Sequence, residues 1–490
     1  MSQVAPPAPV AGAELAFRSV DELLAGFRSR AFSPSEVLDE VLARAERYAA
    51  LKPFLTLDAD GARRAARIAD DGYARGAQEP ARSLLGVPVT IKDLLRTKGL
   101  RTTRGSLVSA SLVPDEDAPA VARLRAAGAV VVGKTNTSEG GWKGDAGNRL
   151  IGPSANPWDP RFSSGGSSGG AGVAAALGLG PIAVGTDGGG SVRIPAAFCG
   201  VVGYKPTFGR IPYYPASPEG LSHVGPLTRS VADAVTAVRH MAGYDPRDPT
   251  SVPGRGAVVP ASRRPLRIRL ATSLGFATAG PEACAATRTA AAVLAGAGHD
   301  VVELDLDLPD QLGTMMTLWA GHESVAYGDD LDQVADRLDP GLLALIRYGR
   351  TLSARDLAGA HERRAALRQR MREELEAFDL LLTPTMLGTA FPLGLDAPPE
   401  EAAADVVGLG WTPFTYLFNL TGQPAVSVPA GLSRAGLPLG VQLVGRLHRD
   451  GDVLATAADY EANRLWRPDY PGLDPQLDHP TEGTEGEEGR

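Results

Sequence analysis

Three positions carry residue types that could do chemistry together: Lys92 at the end of "GVPVTIKD", the serines of "SSGGSSGG" at 163 to 170, and Ser191 at the end of "GTDGGGS". Gly188, Gly189 and Gly190 leave backbone N–H groups unobstructed just ahead of the Ser191 hydroxyl. A nucleophile with oxyanion donors attached has this form, because the same turn that presents the hydroxyl aims dipoles at the charge that develops on a carbonyl oxygen. The nucleophile needs a base. His223, in "GLSHVGPL", is the one tempting histidine among seven. Lys92 fits better by type, since a lysine closing an apolar strand loses hydration, and desolvation lowers its pKa toward a usable neutral amine. An isolated lysine at a strand end is more often structural, and only the two glycine-rich stretches favour the catalytic reading.

Elements must exist to position these residues. "SSGGSSGG" runs straight into the helix-like "AGVAAALG", which argues against a flexible Gly/Ser linker and for a turn at a helix N-terminus. No Gly-Lys-Ser/Thr follows, so the phosphate-binding loop pattern is absent. Gly165 to Gly169 match G-x-S-x-G literally, but the preceding "SANPWDPRF" holds two prolines and makes a poor central strand for a nucleophile elbow. "PIAVGTD" does read as a strand leading into Ser191, and "VRIPAAF" as a short helix after it.

The same alternation extends along the chain. "FSPSEVLDEVLARAERYAA" opens a helix with Ser33 as N-cap, Pro34 at the first position and Glu36 completing a capping box. A strand is expected from Val87 to Ile91, then a helix ended by Gly128 and a strand from Ala129 to Val132. Further strands are expected in "LRIRLAT", "DVVELDL", "DLLLTP", "AVSVPAG" and "LGVQLVG", with helices over 283 to 296, 354 to 377 and 452 to 464. Strand alternating with helix predicts an α/β fold: a single large domain with a mixed central β-sheet covered by helices on both faces. The expected organisation is a disordered lead-in at 1–12, one domain over 13–475, and an acidic flexible tail at 476–490.

Composition narrows the function. The 490 residues carry a net charge of −8, with 43% hydrophobic and 22% charged residues, and no basic run supplies the footprint of a nucleic-acid binder. Cys199 and Cys284 are the two cysteines, too few for a disulfide framework, and Cys199 in "IPAAFCGVVG" reads as a small buried hydrophobe. The N-terminus lacks a basic n-region and an apolar h-region, and "AGVAAALGLGPIAVG" is too short and too broken to span a membrane. These features predict a cytoplasmic protein without nucleic acid or membrane as direct partners, a monomer or homodimer.

Together, "GVPVTIKD", "TNTSE", "NPWDPRFSSGGSSGGAG", "GTDGGGSVRIPAAFCGVVGYKPT" and "NLTGQPAVSVPAG…GLPLGVQLVG" resemble the blocks of the amidase signature enzymes, in that family's order and over most of the chain. The resemblance implies a Ser-cisSer-Lys triad: Ser191 as nucleophile, Ser167 after a cis peptide bond as proton relay, and Lys92 as base. It implies an oxyanion hole from the N–H groups of Gly188, Gly189, Gly190 and Ser191, and no metal or other cofactor. Asp187 and Arg193 match family positions beside the nucleophile and are expected to hold its loop, with Ser168 and Ser163 capping or orienting. Gly141 and Trp142, in "EGGWKG", are expected as a wall of the substrate pocket, although a solvent-facing Trp142 is the competing reading. Gly188 stands where many members carry Thr or Ile, which widens the pocket.

The resemblance thus implies an amidase that hydrolyses aryl or alkyl amides through an acyl-enzyme, with a range extending to esters and to carbamates (urethanes), its partner being that small-molecule substrate. Two alternatives stand beside it. One is the glutaminase component of a tRNA-dependent amidotransferase, although "VRIPAAF" differs from the Arg-Gln-Pro-Ala associated with that component; the other is a non-catalytic scaffold that kept the fold.

Overall fold

A computed structural model describes residues 15–76, 83–217, 219–253, 265–402 and 408–478. The lead-in expected at 1–12 lies outside these residues. Of the tail expected at 476–490, residues 476–478 belong to the helix Leu473–Asp478 and residues 479–490 lie outside the described set.

The strands are β1 (Phe54–Leu57), β2 (Pro88–Lys92), β3 (Val130–Thr135), β4 (Ile182–Asp187), β5 (Val202–Lys205), β6 (His223–Thr228), β7 (Arg267–Leu270), β8 (Asp300–Glu303), β9 (Leu380–Pro384), β10 (Ala425–Leu432) and β11 (Pro438–Gly445). They form one sheet in the order β1-β3-β2-β4-β6-β5-β10-β11-β9-β7-β8. β2 runs parallel to both β3 and β4, and β7 parallel to both β8 and β9, while the central strands pair antiparallel. The mixed sheet, flanked by helices within a single domain, is the architecture the alternation predicts.

Local signals explain the elements. Ser33 closes its capping box with Glu36, and Pro34 occupies the first turn. Gly128 turns the chain at φ +88° after the helix Pro119–Ala126, where a side chain would be strained. Burial on both faces leaves β2, β3, β4 and β9 apolar or small rather than alternating, except in their last two positions, where the buried Lys92, Lys134 and Asp187 stand. A core of Val87, Val89, Ile91, Val131, Ile182, Val184, Val426 and Val441 ties both halves of the sheet together. Cys199 is fully buried, its Sγ directed at the Ser164 carbonyl, and burial pushes its thiol pKa up, as expected of an inert packing residue. Among the described residues, no helix is long and apolar enough to cross a membrane.

Sequence reading did not anticipate β6. Gly225 and Pro226 interrupt its pattern; Pro226 stands opposite Val184 in the ladder with β4, while the ladder of β6 with β5 is confined to Leu227 and Thr228.

Candidate active site

β2 and β4 are parallel neighbours, so their C-terminal ends open on the same edge of the sheet, and Lys92 comes beside Thr186 and Asp187. Lys92 is fully buried. Its Nζ donates to Ser167 Oγ at 2.6 Å and to Thr186 Oγ1 at 2.9 Å. Burial lowers the Lys92 pKa well below the ordinary lysine value, and the Asp187 carboxylate offsets this only in part.

Ser167 enters through the turn ahead of the helix Gly169–Ala176, and the Gly166–Ser167 peptide is cis. The turn is held from below. Ser163 Oγ donates to Asp145 at 2.6 Å and accepts from the Gly165 N–H, while Ser168 Oγ bridges the Thr186 N–H and C=O. Gly166 permits this approach, since a Cβ there would lie 2.2 Å from the Asp145 carbonyl carbon.

Ser191 follows β4 and precedes the helix Arg193–Cys199. Its loop is organised around the buried Asp187 carboxylate, which accepts two bonds at 2.9 Å from the Arg193 guanidinium and one at 2.8 Å from Asn419. The N–H groups of Gly190 and Val192 also donate to it, at 2.9 and 3.2 Å. Burial would raise the Asp187 pKa, but Arg193, Lys205 and Asn419 hold it well below the carboxylate range. Arg193 reaches further, to Gln442 and Asn419. Asp187 and Arg193 thus bond each other and the backbone of the Ser191 loop, and Ser168 bonds the backbone of Thr186 just before it.

Two expectations are corrected. The Gly190 N–H is committed to Asp187, which leaves Gly188, Gly189 and Ser191 as the N–H groups of the loop without a described partner. Trp142 is neither solvent-facing nor a lining residue of the cavity at Ser191. It is buried against Leu342, Leu345 and Ile346, behind Gly141, which does line that cavity. His223 also lies outside the cavity lining. Its Nδ1 donates to the Leu221 carbonyl, Lys205 approaches its Nε2 at 3.3 Å, and burial followed by Lys205 lowers its pKa well below the usual histidine value.

The cavity holds about 350 Å³, and Ser167, Thr186, Gly188 and Ser191 share it with Gly141. Sequence reading assigned no role to Thr186, Thr415, Asn419 or Gln442. The last two stand inside the quoted late blocks "NLTGQP" and "GVQLVG", whose polar residues in apolar surroundings were the available signal. Thr415 Oγ1 donates to the Gly189 carbonyl at 2.8 Å.

The loop glycines are not equivalent. Gly190 has φ +132°, and a Cβ there would lie 2.4 Å from Thr415 Oγ1, whereas a Cβ at Gly188 would meet only Ser222 Oγ, at 3.3 Å. Gly190→Ala is expected to lower the denaturation midpoint, with about 1–3 kcal/mol lost to backbone strain alone, and to remove activity. Gly188→Thr is expected to fold normally and to lower kcat/KM several-fold for bulky substrates only.

Comparison with known proteins places the chain among hydrolases of carbon–nitrogen bonds. The Amidase family model matches residues 36–454, and the chain belongs to that family, the amidase signature amidohydrolases. An acylamidase of Rhodococcus erythropolis is 35% identical over 91% of this chain and 96% of its own length. The glutamyl-tRNA(Gln) amidotransferase A component of Roseiflexus sp. (strain RS-1) is also 35% identical, over 89% of this chain and 94% of its own. A crystal structure of a bacterial aryl acylamidase of the amidase signature enzymes superposes with a TM-score of 0.85 at 28% identity, covering 94% of this chain and 99% of that one.

Proposed function

We propose that the protein is a stand-alone amidase that hydrolyses aryl and alkyl amides, and carbamates and esters beside them, through an acyl-enzyme on Ser191. The observation that carries this reading is the contact of a fully buried, pKa-lowered Lys92 with Ser167 Oγ in the cavity that also holds Ser191. Neutral Lys92 takes the Ser167 proton as Ser167 takes the proton of Ser191, which attacks the carbonyl carbon. The N–H groups of Gly188, Gly189 and Ser191 stabilise the tetrahedral oxyanion. The relay then returns its proton to the departing amine, and water hydrolyses the acyl-enzyme along the same path. Aryl amines and carbamates are favoured because a better leaving amine demands less of the relay. The protein acts in the cytoplasm on a small-molecule substrate, as a monomer or homodimer and without a cofactor.

Similarity to the amidotransferase component supports a second reading, in which glutamine is the amide and partner proteins receive the ammonia. Arylamine release from a p-nitroanilide and from the matched p-nitrophenylamine carbamate, with glutamine run beside them and Ser191→Ala as control, separates the two. Release that is absent in the variant supports the stand-alone amidase; ammonia from glutamine alone supports the amidotransferase reading. Dialysis against a chelator is expected to leave the rate unchanged, and loss of activity restored by a divalent ion would overturn the metal-free mechanism.

A further inference from the structure

The cavity that Ser167 and Ser191 line has a further wall formed by Arg104, Tyr213, Glu219, Trp319, His322 and Glu323. Glu219 is held in place: its Oε1 accepts from Ser222 Oγ at 2.9 Å and from Ser217. Its Oε2 is buried and has no hydrogen-bond partner, the nearest cation-capable atom being His322 Nδ1 at 3.6 Å, and the side chain is only 8% exposed. A carboxylate oxygen fixed and desolvated in this way is costly unless a positive donor reaches it.

Glu323 ends the helix Leu312–Glu323, one turn beyond Trp319, which places both side chains on the same face. Burial first, and Glu219 in addition, raise the Glu323 pKa, although His322, Arg104 and Trp319 act against the rise. The two carboxylates stand near the Arg104 guanidinium and the His322 imidazole, and the buried Arg364 guanidinium donates to the Glu219 and Gly220 carbonyls, but none of these gives Glu219 Oε2 a hydrogen bond; an indole and a phenol complete the wall. Carboxylates with aromatic faces make an environment suited to a desolvated ammonium. A metal ion is the less suitable occupant, because among the described residues no three His, Cys, Asp or Glu side chains are grouped to hold one.

We infer that this wall selects amides carrying a protonated amine away from the scissile bond, with Glu219 and Glu323 as the charge partners and Trp319 and Tyr213 as the flanking faces. The inference rests on the proposed function for the position of the scissile bond alone.

Ser191→Ala protein separates binding from turnover. By titration calorimetry it should bind 6-aminohexanoyl p-nitroanilide at least tenfold more tightly than heptanoyl p-nitroanilide, in which a methyl replaces the ammonium. Adding Glu219→Gln should reduce that ratio to threefold or less, and Glu323→Gln provides a second test should the first variant not fold. Since the ratio is taken within one protein preparation, loss of folded material cancels. A matched pair with the ammonium in the amine portion, N-(3-aminopropyl)hexanamide and N-butylhexanamide, shows which side of the bond faces the wall, and selectivity in either pair supports the inference. Equal binding or no binding in both pairs overturns it, as does a ratio unchanged by both Gln variants. Wild-type turnover is read separately: hydrolysis of both anilides without binding selectivity sinks only the ammonium wall, and selective binding without hydrolysis sinks only the anilide-hydrolase reading.

Discussion

Ser191→Ala is expected to lower kcat by roughly 10⁴-fold or more, to the residual rate that positioning and oxyanion donors provide without a nucleophile. Ser191 lies at the cavity, and among the described residues the loop is held through Asp187, Arg193 and Asn419 and not through its hydroxyl. The variant should therefore keep the wild-type denaturation midpoint, and a fluorophosphonate that labels wild-type protein should leave it unlabelled. Activity persisting in Ser191→Ala would remove Ser191 from the mechanism. Full loss of folding would instead assign the serine a structural role.

Lys92→Met is expected to cost nearly as much, at least about 10³-fold in kcat, within the range for removal of a general base and its relay. Combined with Ser191→Ala it should cost little more than either change alone, because residues acting as one unit are not additive. Two further readouts separate the base from a packing residue. Burial lowers the Lys92 pKa, so the neutral, competent amine is the form present above that lowered value, and kcat/KM in the wild type should fall as pH drops through it. Linkage gives the stability sign. Between the lowered folded pKa and the ordinary lysine value the unfolded chain binds the extra proton, so the native lysine reduces stability at neutral pH and less so as pH rises. Lys92→Met should therefore lose activity while its melting temperature stays level or rises; a lowered melting temperature with activity retained would reverse the assignment.

Much of the site was legible because its chemistry is local in sequence. Lys92 ends an apolar strand, and Ser191 follows a strand and three glycines; those patterns depend on backbone requirements a few residues long. The resemblance added Ser167, which the glycine-rich turn alone could not separate from Ser168. What was not legible is held by distance. Asn419 and Gln442 meet Arg193 across 226 and 249 residues, and no short window of sequence encodes that meeting. The error at Trp142 has the same origin: the residues that bury it, Leu342 to Ile346, come two hundred positions later. The four-donor oxyanion hole failed for another reason, since neighbouring N–H groups in one loop point in different directions and Asp187 claims one of them.

The strand order has a consequence for how the protein is made. β10 and β11 come near the end of the chain, yet they fill the middle of the sheet between β5 and β9. Until the ribosome has released residue 445, β5 and β9 each present an open edge, and the side chains that fix Arg193 from that region are still absent. The protein therefore cannot assemble its nucleophile loop from the amino-terminal end as it emerges. A nascent chain stalled after β9 but before the last two strands is an inactive species in which β5 and β9 are each paired on one side only, the kind of intermediate a chaperone would be needed to shield.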